Sequence, residues 1–349
     1  MDIVNRFLLR RIGQTAAIGI CAWMLAGGLA VAQQPYQILD HWKIGGTGGW
    51  DYLLADSANH LVYVTHGPRV EVIDTDTGKA VGAITGMKGT HGVALDDQGK
   101  FGYISDGGSN NVVVFDRHSF QTVTTIAAGT NPDGIVFDPS TKSVWAFNGR
   151  SSNVTVIDAA TKQVVATIDV PGKPEFAVAD GKGSVYDNIE TANEIVRFDA
   201  KARKITATWK LENCDSPSGL AMDREHRKLF AVCDGKKMAV VDADSGKQIA
   251  TADIGDGPDA ANFSAKHQLA FSSNGAGTLS VIDAASGYKA VEELPTARGA
   301  RTMTYDDAKD RVYLVTAKFG PAPEPTAQMP HPRPTVLPDS FEVIVVGRK

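Results

Sequence analysis

Cysteine is scarce in this sequence, with three residues in 349. None stands in a CxxC pair, which leaves out CxxC zinc and thioredoxin-like redox motifs, and no CxxCH is available to attach a c-type haem. HExxH, GxxxxGKS/T and GxSxG are also missing. The chain therefore carries no signature of a zincin, a P-loop nucleotide site or a nucleophile-elbow hydrolase. Long runs of Lys and Arg are lacking as well, and the formal net charge is −5. An acidic surface repels nucleic-acid backbones and anionic lipid, so nucleic acid is not an expected partner.

The first 32 residues differ from the rest. Arg6, Arg10 and Arg11 precede a mostly apolar run from Ala16 to Leu29, and "AVA" ends at Ala32. That is the three-part layout of a secretory signal, with cleavage expected after Ala32. Residues 33–349 are then the mature chain, expected in the periplasm or secreted. Removing Asp2 and the three Arg takes the net charge from −5 to −7. No stretch of the mature chain has the roughly 20 apolar residues of a membrane span. Cys214 and Cys233 remain, and an oxidising compartment favours a bridge between them; a thiol pair for a soft metal is the alternative.

What the sequence does contain is one phrase written six times. "VEVIDTDTGKAVGAI" from Val70 returns as "VVVFDRHSFQTVTTI" from Val112 and "VTVIDAATKQVVATI" from Val154, then three times more. The anchoring residues Asp74, Asp116, Asp158, Asp199, Asp242 and Asp283 are 42, 42, 41, 43 and 41 apart. Within one unit, "GIVFD", "SVWAF", "NVTVID" and "VVATID" are Val-, Ile- and aromatic-rich runs separated by Gly, Asn, Asp and Pro. Four antiparallel strands per repeat of about 40 to 45 residues is the signature of a propeller blade. The repeated Asp ends the third strand and can cap the following turn. "DTDTGK" and "DADSGK" lack the remaining ligands and distal Glu of a calcium loop.

Seven inner strands align: "GGWDYLLAD", "GTHGVALDD", "NPDGIVFDP", "KPEFAVADG", "SPSGLAMDR", "GPDAANFSA" and "GARTMTYDD". The predicted fold is all-β, a seven-bladed β-propeller of four-stranded antiparallel blades in a single domain over 33–349. The last blade carries a Pro-rich insertion, 320–340, and ends three residues after "FEVIVV" without a fourth strand. "YQILDHWKIG" near the mature N-terminus supplies the missing strand, so the first and last strands close the ring and remove an edge.

The phrase V-x-V-I-D-x-x-T-x-x-V-V-A-T-I, followed by G-x-x-P-x-G, resembles the repeat of the YVTN family of β-propellers, and "VYVTHG" at Val62–Gly67 nearly spells its name. Leader, length and blade count resemble the YncE-like exported bacterial members. The resemblance implies fold over essentially all of 36–349, and much less about activity. Such propellers occur as binding or scaffold proteins and beside redox or lactone-hydrolysing relatives.

Function is expected where the repeats differ. The residue at the start of each inner strand looks into the central channel: Asp51, His91, Asp133, Glu175, Ser218, Asp259 and Arg301, with Trp50 as an aromatic wall. The loops between second and third strands share that face and add His66, Asp106, Asn148, Asn188, Asp234, Asn274 and Lys318. Asp51, His91, Asp133, Glu175 and Asp259 are the candidate ligands of a divalent metal ion, the candidate cofactor. Arg301 can hold a carboxylate or phosphate.

Three functions are compatible with this layout. The first is a non-enzymatic, monomeric periplasmic module that binds a protein or small polar ligand at the channel mouth. The second is a metal-dependent, lactonase-like hydrolase using the same carboxylates and His91. The third is a copper or redox accessory protein using the cysteines, or Met329 and His331 of the insertion.

Overall fold

The repeated Asp residues cap turns. In this computed structural model, which describes residues 34–326 and 334–349, Asp74 Oδ1 accepts hydrogen bonds from the Asp76 and Thr77 amides and from the Thr77 hydroxyl at 2.8–3.0 Å. Asp116, Asp158, Asp242 and Asp283 do the same for Ser119, Thr161, Ser245 and Ser286. Hydrogen bonds to Thr77, side chain first, hold the Asp74 carboxyl below its ordinary range. The polar Asp that ends the third strand in blades 1 to 6 is thus accounted for by its turn.

Blade 1 consists of Trp50–Asp56, Leu61–His66, Arg69–Asp74 and Lys79–Thr85, running antiparallel from the channel outward. Blades 2 to 6 repeat this order over 90–127, 132–169, 174–210, 220–253 and 258–295. Blade 7 joins Met303–Asp306, Arg311–Thr316 and Glu342–Gly347 to the N-terminal strand Gln37–Lys43. Gln37 faces Gly347 and Lys43 faces Glu342, so the expected closure is present. Tyr36 fastens it: its hydroxyl donates to Asp310 at 2.7 Å, and the Arg348 guanidinium lies 4.3 Å from its ring centre. Residues 35–349 form one compact unit, whereas the proposed leader, 1–32, and residues Met329 and His331 lie outside the described residues. No helix among the described residues is long and apolar enough to cross a membrane.

The core lies between blades. Trp145 and Phe147 of blade 3, for example, pack with Val185 and Phe198 of blade 4. Seven wedges must meet at the axis, and that demands close backbone approach. Gly134 and Gly219 stand where it is closest. A Cβ on Gly134 would run into the Glu175 carbonyl, and one on Gly219 would lie 2.5 Å from the Ala261 amide. Most inner strands also slip register at their start, at Trp50/Leu53, Thr90/Val93, Pro132/Ile135, Pro174/Ala177 and Pro258/Ala260. Second-strand polar side chains occupy several of these bulges. Thr65 accepts from the Asp51 amide at 3.0 Å. Ser105 accepts from the Gly92 amide at 2.8 Å and donates to the Asp133 carbonyl in the next blade at 2.5 Å. Asn188 reaches the Ser218 carbonyl at 2.8 Å, and Ser273 reaches that of Arg301. A bulge re-aims the side chain beside it, and here it turns the start of those five strands toward the channel.

Cys214 and Cys233 are joined, bridging the approach to blade 5 and the end of its second strand. The alternative of a free thiol pair for a soft metal is set aside. The Pro-rich insertion begins and ends as a two-stranded base, with the Gly320 amide bonded to the Thr335 carbonyl and the Leu337 amide to that of Lys318, both at 2.8 Å. Phe319 at this base lies 6.0 Å from Trp50, so the insertion leaves from the rim of the mouth.

The close approach at the axis sets one expectation. Gly134→Ala should cost ~1–3 kcal/mol, the usual range for overpacking. Urea unfolding monitored by tryptophan fluorescence measures it; a cost near zero means that the Glu175 carbonyl moves freely away.

Candidate functional site at the channel mouth

Each of the seven channel positions begins an inner strand or lies just before one. Asp51, His91 and Asp133, from blades 1, 2 and 3, converge. His91 Nδ1 is 2.6 Å from Asp51 Oδ2 and 3.5 Å from Asp133 Oδ1. One donor atom from each of the three lies within 4.8 Å of the other two. Burial disfavours the imidazolium, but the Asp51 hydrogen bond and the charges of Asp133 and Glu175 outweigh it, and His91 is pushed up to about 9. Burial and the Asp51 charge push Asp133 well above the carboxylate range, against the pull of His91.

The other two expected metal ligands have cationic partners instead. Glu175 lies 2.9 Å from Lys173 Nζ, which also meets Glu190. Asp259 Oδ2 is 3.1 Å from Arg301 Nε. Burial raises both carboxyls despite those cations, Asp259 to about 7. Ser218 donates to the Pro258 carbonyl at 3.3 Å and so belongs to the wall rather than the charged set. Trp50 packs against Phe341 and Phe319 as an aromatic border.

The second set of expected residues is largely structural. His66 is fully buried, stacked 4.0 Å from Phe341 with Nδ1 toward Glu71. It is covered because the closing blade lies over it. Asn148 and Asn274 are fully buried and lock the turns after their strands through Asn153 and Thr155, and through Thr278 and Ser280. Asp106 accepts from the Lys88 and Gly89 amides. Asn188 lies inside its strand, one position earlier than the loop reading placed it, and ties blade 4 to blade 5. Asp234 bridges to Asp215, and the Lys318 backbone anchors the insertion. Asp234 and Lys318 keep exposed side chains, so the open loop face shrinks to the mouth and these two positions.

Four residues were missed. Lys173 is the lone charge in the column two residues before the channel position, where the other blades have Gly49, Gly89, Asn131, Ser216, Gly257 and Gly299. Tyr52 and Phe176 occupy the column one residue after it, among Gly92, Gly134, Gly219, Ala260 and Thr302. Their rings meet across the channel with centroids 4.6 Å apart and form the floor. The Tyr52 hydroxyl is buried there with no hydrogen-bond partner among the described residues, and burial and the carboxylates raise its pKa well above the ordinary value. Asp187 is also fully buried, with the Glu175 backbone as its one hydrogen-bonding neighbour among the described residues, and burial raises its carboxyl well above the ordinary range; its column otherwise holds Val64, Ile104, Ala146, Ala231, Ser272 and Leu314. Comparison of columns, rather than a search for motifs, was the signal for all of them.

Similarity to known proteins agrees with the fold. The family model described as "Lactonase, 7-bladed beta-propeller" matches residues 56–170, a stretch that contains His91 and Asp133 but neither Asp51 nor Arg301. The hydrazine synthase of Kuenenia stuttgartiensis superposes with a TM-score of 0.70 at 14% identity, over 77% of this chain and 92% of that chain. At that identity the likeness is one of fold. No curated protein matches the chain.

The raised His91 value makes the folded state the better proton binder. Its stabilisation is complete below the ordinary value of 6.5 and is lost as pH rises through about 9. Asp259 adds a loss of the same sign between 3.8 and about 7. Chelator-treated protein should therefore become less stable from pH 4 to pH 9, and an NMR titration should put the His91 midpoint near 9. A midpoint near 6.5 would remove the clamp of Asp51 and Asp133 from the account.

Proposed function

We propose that this protein is an exported binding propeller whose channel mouth holds a small polar ligand through a divalent cation on Asp51, His91 and Asp133. The observation that carries the reading is the convergence of one imidazole nitrogen and two carboxylate oxygens from three successive blades. A mixed nitrogen and oxygen set suits Zn2+ or Mn2+ better than Ca2+, which takes roughly six to eight oxygens. Asp51 and Asp133 bring the carboxylate oxygens, and Asp133, whose carboxyl is raised, and His91 must each release a proton before they can donate. Arg301 uses Nε on Asp259 and retains further donors for a carboxylate or phosphate on the ligand.

Lactone hydrolysis is the second reading, favoured by the family match over 56–170. When bound, the cation supplies Lewis acidity toward a lactone carbonyl. Asp259, raised to about 7, is the mouth carboxyl best suited to exchange a proton near neutrality. Hydrolysis of five- and six-membered lactones by the metal-loaded protein, lost in Asp259→Asn, would move the assignment from binding to catalysis.

The export reading rests on the leader-like segment 1–32 and is supported by the Cys214–Cys233 bridge. The repeat phrase supports placement among YVTN propellers of the YncE-like kind. We place the protein in the periplasm or outside the cell, as a monomer.

Two measurements test this. Calorimetric titration with Zn2+ and Mn2+ should give stoichiometric binding that strengthens from pH 6 to pH 9. Loss of an outer-shell partner alone weakens metal sites roughly 10–100-fold, so Asp133→Asn and His91→Asn should each cost at least ~10-fold. Absence of binding at any of these pH values would refute the cation site. N-terminal sequencing of periplasmic protein should begin at Gln33; a start at Met1 would withdraw the leader.

A further inference from the structure

The channel has a second, chemically different end. Below the floor, between the far ends of the inner strands, lies a cavity of about 670 Å³. That is the size of a small-molecule site. Tyr52 and Phe176 stand between it and the acidic ring. Its lining includes Leu54, Val136, Val178 and Met303.

Charge appears only toward the outer end, and most of it is paired. Arg117 is 2.6 Å from Asp56 and 3.7 Å from Asp96. Asp97 is held by Lys142. Arg224 is the exception. Its Nε donates to the Ala179 carbonyl at 3.0 Å, and it makes no ion pair among the described residues. The residue is exposed overall; packing against the cavity lowers its pKa, and the charge of Asp180 partly opposes that. An exposed guanidinium without an ion pair, at the rim of a chamber with many apolar lining side chains, is a recognition pattern for a single negative charge on an apolar body. The carboxylates of Asp56 and Asp96 close by disfavour a multiply charged anion.

We propose that this lower cavity binds an aliphatic monocarboxylate, with the chain directed toward Tyr52 and Phe176 and the carboxylate on Arg224. The site is independent of the mouth. No covalent step is involved. Affinity comes from chain burial, and the choice of a carboxylate comes from the charge-assisted hydrogen bonds of the guanidinium.

The test is calorimetric titration of the full mature chain with hexanoate, octanoate and decanoate, and with decanol as the uncharged control. Each added methylene should tighten binding about fourfold, the factor equivalent to ~0.8 kcal/mol. Arg224→Gln should weaken decanoate binding ~10-fold or more and leave decanol unchanged. Arg224→Lys should restore part of the loss. Far-UV circular dichroism establishes that each variant is folded. Asp133→Asn should not alter decanoate binding, which separates this site from the cation site. Equal affinity for hexanoate and decanoate overturns the chamber. Undiminished decanoate binding by folded Arg224→Gln overturns the role of the guanidinium. Loss of binding in Asp133→Asn moves the ligand to the mouth and also overturns the proposal.

Discussion

The antiparallel pairing of Gln37–Lys43 with Glu342–Gly347 is the constraint on which the rest depends. It joins strands from opposite ends of the chain and turns an open row of blades into a ring. Only in a closed ring does blade 7 sit beside blade 1, where Thr302 donates to the Asp51 carbonyl at 2.8 Å and the Ala55 amide donates to Thr304 at 3.0 Å. The closure also pairs the outer side of Glu342–Gly347, which would otherwise be an open edge. Tyr36, Asp310 and Arg348 reinforce it from both ends of the chain.

Closure concentrates charge at the axis. Asp51, Asp133, Glu175 and Asp259 come from four blades and face one small volume. Burial of like charges is costly, and the fold offsets it in three ways: an imidazolium between Asp51 and Asp133, Lys173 beside Glu175, and Arg301 beside Asp259. The compensation is uneven around the ring. Blades 1 to 3 share a single proton-dependent cation, while blades 4, 6 and 7 use permanent ones. A metal ion can therefore compete with a proton at the first group and with nothing so easily displaced at the others.

The two ends of the channel divide along the same axis. Polar side chains enter at the start of each inner strand, where in five of the seven blades a bulge turns the backbone inward. Apolar residues follow as the strands continue toward the opposite face. Tyr52 and Phe176 fall at the changeover because their column is otherwise small enough to admit two rings. An acidic mouth and a lower chamber with many apolar lining side chains thus share one pore.

How far this was legible follows from the range of each interaction. The repeated phrase, the turn-capping Asp and the alternation within strands are local, so blade number, strand order and ring closure could be read directly from the chain. The channel column was legible too, because a repeat preserves register and one position per blade must face the axis. Five of the seven loop-face residues are buried rather than open, because a polar residue at a strand end satisfies a turn as readily as it faces a ligand; His66, Asn148 and Asn274 are buried by contacts that no spacing reveals. Likewise, sequence placed five metal-ligand candidates on one ring, and only the tertiary structure divided them. Asp51, His91 and Asp133 remain together because their blades are consecutive, whereas Lys173 and Arg301 take Glu175 and Asp259. Sequence by itself determined the blades and the ring of positions, since hydrogen-bonded strands repeat locally. Which side chains meet across the ring was decided by tertiary structure, since those distances depend on how seven wedges pack around one axis.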